Sequence, residues 1–181
     1  HTYPGAPAQL DLRDTLDALR ALLESDRHRK LGQHGKYDIH VLRRHGVNVD
    51  GYADDTMLES FIWNSSATRH DMDSLAKRYL GYDTIKFEDV AGKGAKQIPF
   101  SEVAIDDATG YAAEDADITL QLKNVFVPKL KEYEVEKVFN EVENPLVKVL
   151  TDMEFEGIRI DEGFLNDYSK QLEKEAKTAE E

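Results

Sequence analysis

From about Glu102 to Tyr133 the chain carries its longest helical pattern, with Tyr111, Asp115, Ile118 and Leu122 along one stripe. Pro128 lacks an amide donor, so it is expected to kink or end this helix. Tyr111 and Asp115 are four residues apart and so share one helical face, one turn from each other. A phenol and a carboxylate held that way can orient a water and bind a hard cation. The same spacing also describes a packing ring beside a solvated acid, and the pair alone does not separate the two.

The elements before this helix alternate in type. His1 to Leu10 is punctuated by Pro and Gly and reads as extended. Leu12, Leu16, Leu19 and Leu23 predict an amphipathic helix over about 12–24, with Asp11 and Asp14 at its start. Asp14 and Asp17 lie on the solvated face of that helix. Lys30 to Gly35 suits the end of a buried strand feeding a turn, and 36–45 returns to a helical pattern with Gly46 just beyond it. Asp38 then falls in the first turn of a helix that follows a strand. Two readings fit it: an acid complementing the helix dipole, or an acid at the mouth of a cleft.

Further along, 47–52 is a strand candidate, and 55–63 is a helix with Asp54 or Asp55 at its cap. A helix over 72–80 is capped by Asp71 and closed by Gly81. Gly92-Lys93-Gly94 lacks phosphate-loop spacing and reads as a surface loop. Beyond Val135, Val138 to Met153 predicts a second long helix interrupted near Pro145 and ended by Gly157. Ile158 to Ile160 is a short strand candidate, and Phe164, Tyr168 and Leu172 mark a last helix. That helix reads as the opening of another domain.

The 181 residues suit one domain plus a fragment, and 40% hydrophobic residues are enough for a packed core. Without cysteine there is no disulfide framework and no thiolate metal site, which fits a reducing cytoplasm. No apolar run reaches the ~18 residues that a membrane span needs. A net charge of −13 argues against a general polyanion-binding face. From Lys129 onward, 8 Lys and Arg stand against 15 Asp and Glu, so about half of the excess lies in the last segment. A nucleic acid would have to be held by local contacts and metal ions. The start at His1, with no initiator Met, is expected to be a cut in something longer.

Three segments in order, 32–38, then 55–60 with 69–76, then 111–115, resemble the 3′–5′ proofreading exonuclease domain of bacterial DNA polymerase I, a family A polymerase in the DEDD superfamily. Gly32-Gln33-His34-Gly35-Lys36-Tyr37-Asp38 resembles the second exonuclease motif, Asn-x-x-Tyr-Asp. Asp55-Thr56-Met57-Leu58-Glu59-Ser60 and 69–76 resemble the segment between motifs, and Tyr111-Ala112-Ala113-Glu114-Asp115 is similar to the third motif of the tyrosine subgroup. The stretch 140–161 resembles the entry into a polymerase domain at the base of the thumb. The resemblance implies an α/β, ribonuclease H-like fold, a mixed sheet flanked by helices, here lacking its first strands. It implies a partial exonuclease domain over 1–134 and the truncated helical start of a polymerase domain over 135–181.

Function follows from the same resemblance. Two divalent ions (Mg²⁺, Mn²⁺ or Zn²⁺) would assist hydrolysis of the last phosphodiester of a frayed 3′ end. Asp115 and Asp38 would be metal ligands, and Tyr111 would aim the attacking water. Gln33, His34, Tyr37, Arg69 and Phe87 would contact single-stranded DNA, and primer–template DNA would meet the polymerase region. His34 stands where the family motif has Asn, and the first motif, Asp-x-Glu, is absent from the chain. The chain alone is therefore expected to be nearly inactive, to hold metal poorly, and to self-associate through an open sheet edge. Alternatives are an exonuclease-like spacer that has lost its metal site and a ribonuclease D-like RNA 3′ exonuclease. The resemblance implies a bacterial cytoplasmic protein.

Overall fold

The computed structural model describes residues 1–67 and 69–180. Helix α1 (Leu12–Leu23) is capped by Asp11, whose carboxylate accepts from the Asp14 amide at 3.0 Å. Strand β1 (Lys30–Gly32), helix α2 (Lys36–Arg44) and strand β2 (Tyr52–Asp55) form a βαβ unit, with the two strands parallel. Lys30 stands opposite Tyr52 and Gly32 opposite Asp55, with an irregularity between Lys30 and Leu31. The second strand starts at Tyr52 rather than running over 47–52. The Val47 amide turns back to the Leu42 carbonyl at 3.0 Å, so the end of α2 uses the donor that a strand would need. Val47 is instead fully buried.

Of the two candidate caps for α3 (Thr56–Asn64), Asp55 fills the role, accepting from the Met57 and Leu58 amides. Asp54 points elsewhere, to Lys123 at 2.7 Å and Arg29 at 3.2 Å. Helix α4 (Met72–Leu75) is capped by Asp71, widens into a π-helical turn over Ala76–Leu80 and closes at Gly81 (φ 67°). Helix α5 (Phe87–Ala91) leads through irregular chain to α6 (Ile105–Glu132). Pro128 does not end α6, which runs on to Glu132. It lies on the exposed side, as does Asn124, so the carbonyl deprived of its helical donor can bond to water.

The main core lies where α6 meets α3 and α4. Leu75, Ala76, Ile118, Leu122 and Phe126 are buried, with Trp63 and Tyr79 rings 5.9 and 5.3 Å from Phe126. A smaller core gathers Ala91, Val103 and Ala108 under Val90 and Phe100. After α6, the expected long helix runs on as α7 (Glu136–Val138), a π-helical turn over Phe139–Glu143 and α8 (Asn144–Glu156), with its irregularity just before Pro145. Pro145 follows the π-helical turn inside one continuous helical run, since Val138 and Asn144 on either side of that turn keep right-handed helical backbone; its missing amide falls where the helix is already widened.

The chain divides into two compact units, His1–Thr151 and Asp152–Glu181. The first runs past residue 134, because Phe139, Val147 and Thr151 are buried in it. In the second, Ile158 to Ile160 is irregular rather than a strand. The described residues place no partner strand beside it, and an unpaired extended segment leaves its backbone groups to solvent. Helix α9 (Glu162–Glu180) carries Phe164 and Tyr168 stacked at 5.9 Å. Glu181, the last residue of the expected second domain, lies outside the described residues. No helix among the described residues is long and apolar enough to cross a membrane.

One buried acid sets a pH dependence. Glu59 is fully buried with neither carboxylate oxygen hydrogen-bonded, and burial pushes its pKa up to about 8, helped by the nearby Asp54 charge. The folded chain then holds a proton that the unfolded chain releases near pH 4.5. Stability is lost as pH rises from about 4.5 to about 8 and levels off above. Glu59→Gln removes this term. Between pH 5 and pH 8 the wild-type Tm is expected to fall by roughly 5–10 °C relative to the variant, measured by circular dichroism.

Candidate functional site

At the C-terminal end of β1 the chain opens a cleft of about 520 Å³. One wall comes from Gln33 and His34 in the turn after β1 and from Tyr37 and Asp38 in the first turn of α2. The other comes from α6, where Ala112, Asp115, Ala116 and Thr119 follow helical spacing on one face. Cleft-side acids at strand ends are the expected place for chemistry in α/β folds. Asp38 is therefore the acid at a cleft mouth, and its place at the start of α2 satisfies the dipole reading too.

The turn after β1 is tightly specified. Gln33 donates from Nε2 to the His70 carbonyl at 2.8 Å, and its Oε1 accepts from Thr56 Oγ1. His34 adopts a left-handed φ of 61°, and its Nδ1 lies 3.4 Å from the Met57 sulfur. Tyr52 lies directly beneath, so a Cβ at Gly35 or Gly32 would run into its hydroxyl. That crowding explains why both positions carry glycine.

Electrostatics mark the two acids. Asp115 is pushed up to about 6 by burial first, then by the charges of Glu114 and Asp73. Its Oδ1 is buried without a hydrogen-bond partner. Asp38 is also raised, chiefly by burial, with His34 lowering it and Asp55 raising it. A buried, unpartnered carboxylate oxygen facing a second acid across a cleft is a donor set suited to a hard cation. It is only part of one. Among the described residues, no group of three or more His, Asp or Glu side chains is placed to hold a metal ion.

Gln33, His34, Tyr37, Asp38 and Asp115 thus line one cleft. The other three expected site residues do not line it. The Tyr111 ring, one turn before Asp115, packs 6.4 Å from Phe87 and 5.9 Å from Phe100. Its phenol is raised by burial and by the Asp115 charge. Phe87 is 40% exposed, on the surface of this aromatic group rather than in a core. Arg69 is exposed and pairs with Asp71 at 3.1 Å. Sequence reasoning missed Asp73, whose charge acts on both Asp115 and Tyr111, and the bonds that the Asp55 carboxylate accepts from the His34 and Gly35 amides. Asp55 was legible as a helix cap, but nothing in its spacing signals a bond to the turn after β1.

A parallel βαβ unit whose strand end opens on two raised carboxylates defines an α/β protein with an acid-lined cleft. A model of the 3′–5′ exonuclease family of DNA polymerase A matches residues 2–131. DNA polymerase I of Pseudomonas aeruginosa is 49% identical over 175 residues, covering 95% of this chain and 19% of that protein. DNA polymerase I of Rhizobium leguminosarum is 41% identical over 167 residues, covering 92% of this chain and 16% of the relative. The chain thus spans less than a fifth of the length of these relatives. Among solved structures, the polymerase domain of Pol1 from M. smegmatis, in complex with DNA primer-template and dNTP, superposes with a TM-score of 0.74. That match covers 94% of this chain and 26% of the other, at 20% identity, and so speaks to the fold. The chain belongs to the 3′–5′ exonuclease family of DNA polymerase A and corresponds to part of a DNA polymerase I.

The shifted acid is directly measurable. In a carboxyl ¹³C titration, Asp115 is expected to show a midpoint near pH 6. Because its folded value lies above its unfolded one, its stability cost grows as pH rises through about 4 to 6. Asp115→Asn should raise Tm by a few degrees at pH 7 and leave it unchanged at pH 4.

Proposed function

We propose that this chain is the proofreading portion of a DNA polymerase I, with a ribonuclease H-like fold. It trims mispaired or single-stranded DNA 3′ ends by metal-dependent hydrolysis in the protein to which it belongs. The observation that carries this reading is the pairing of Asp38 and Asp115 across one cleft, with Asp115 Oδ1 buried and unpartnered. We assign 1–134 to the exonuclease domain and 135–181 to the start of the polymerase domain, since the family model ends at residue 131. Primer–template DNA is the partner of the polymerase region, and the bacterial cytoplasm is where such a protein works.

Asp115 and Asp38 would contribute part of the ligand set of two divalent ions (Mg²⁺, Mn²⁺ or Zn²⁺). When bound, the ions supply positive charge at the scissile phosphate and a lowered pKa for a water. The chain's own residues supply the rest. Tyr111, one turn from Asp115 and outside the cleft lining, would turn its phenol toward the cleft to hold and aim the attacking water. Gln33 and His34 offer side-chain hydrogen-bonding groups at the lip of the cleft, and exposed Tyr37 offers a ring for a terminal base. Phe87 extends the aromatic surface, and Arg69 neutralises a phosphate of the incoming strand.

A second reading is a structural spacer derived from such an exonuclease; the lack of a three-residue metal cluster among the described residues fits both readings. Activity decides between them. In a polymerase that contains this chain, Asp115→Ala or Asp38→Ala is expected to lower release of mononucleotides from single-stranded DNA with Mg²⁺ at least about 100-fold, with polymerisation kept. Equal release by the wild type and both variants, or none from the wild type, would support the spacer.

The isolated 181 residues are expected to bind Mn²⁺ no tighter than about millimolar and to release almost no nucleotide. Robust release abolished by Asp115→Ala would overturn that. The open edges of the two-stranded sheet make self-association of the isolated chain a further expectation, read by light scattering.

A further inference from the structure

Asp55 is 2% exposed, yet its two oxygens are aimed at five donors from three places in the chain. Oδ1 accepts from the Met57 and Leu58 amides at 3.0 and 3.4 Å, which caps α3, and also from the His34 amide at 3.1 Å. Oδ2 accepts from the Gly35 amide at 3.0 Å and the Tyr52 hydroxyl at 2.7 Å. A helix cap needs only the first two. The other three bonds join the carboxylate to the turn that ends β1 and to the ring lying under that turn.

We infer that Asp55 is a positioning residue: it fixes the His34–Gly35 turn and so presents Gln33, His34 and Asp38 to the cleft. This deepens the exonuclease reading and rests on it for the purpose of the turn. A left-handed φ at a residue other than glycine is disfavoured and persists only where surrounding contacts over-determine it. His34 has such a φ, and its amide and the next one both end on Asp55. The adjacent side chains are held from the same side, since Thr56, the residue after Asp55, bonds to Gln33. Asp38 follows in the first turn of the helix that this turn launches. Serine or asparagine would cap α3 about as well as aspartate. Only a carboxylate also offers a second acceptor oxygen for Gly35 and Tyr52.

Amide hydrogen exchange by NMR on the 181-residue chain tests this without requiring nuclease activity, so its failure is separable from failure of the exonuclease reading. In Asp55→Ser, the Met57 and Leu58 amides are expected to keep their protection. The His34 and Gly35 amides should exchange at least about tenfold faster, the loss of one hydrogen bond each. The His34 amide–α coupling should also leave its left-handed value. If Asp55→Ser fails to fold, the near-isosteric Asp55→Asn decides. Its oxygen can still cap α3, and Gly35 alone should lose about tenfold in protection. Tyr52→Phe, which keeps the carboxylate, should leave both amides slow.

Wild-type rates at His34 and Gly35 in the folded Ser or Asn variant would overturn the inference. A ligand readout separates positioning from capping. A short oligothymidylate should shift Gln33, His34 and Tyr37 resonances in the wild type and not in folded Asp55→Ser. Equal shifts in both would overturn the positioning role. No shifts in the wild type would count against the exonuclease reading, and the amide rates would then decide the role of Asp55.

Discussion

One buried carboxylate lies where the end of β2, the start of α3 and the turn after β1 meet. Asp55, itself the last residue of β2, can bring them together because the turn after β1 and the start of α3 leave backbone amides without a partner, and a carboxylate offers several acceptor sites in a small volume. Desolvating an acid is costly, and the cost is offset here by five donors. Tyr52 completes the arrangement from below, its hydroxyl on Asp55 and its ring under Gly32 and Gly35. The cleft's first wall takes its shape from this point.

The second wall is set by apolar packing. Ile118, Leu122 and Phe126 anchor α6 in the main core, and Asp115 projects one turn before Ile118. The acid is therefore carried on a rigid element, which is what a site that must hold geometry requires. Asp115 and Glu59 are both raised by burial, yet they differ in meaning. Asp115 faces the cleft, whereas Glu59 is sealed inside among Asp54, Asp55 and Lys123, where no ligand reaches it. A raised acid marks a functional site only where the solvent side is open.

The departures from expectation share a cause. The strand expected over 47–52 is displaced because α2 closes by taking back the Val47 amide, a local bond that outcompetes β pairing. Pro128 does not end α6, since the carbonyl it deprives belongs to exposed Asn124 and can bond to water. Ile158 to Ile160 stays irregular because alternation supplies a strand's face but not its partner. In each case the residue pattern is present, and the hydrogen bonds open to the backbone decide what it becomes.

Local spacing in the sequence was enough for the helices over 12–23, 36–44 and 56–64, the cap at Asp71, and the shared face of Tyr111 and Asp115. It also carried the motif order by which the family is recognised. Tertiary structure alone decided that Asp38 and Asp115 face one cleft while Arg69 and Phe87 stand off it, and that Asp55 reaches back to His34 and Gly35. The reason is one of range. Helical periodicity and caps act within a few residues, so they are written in adjacent letters. Desolvation and bonds across 20 or 21 positions arise only when separate elements are packed together.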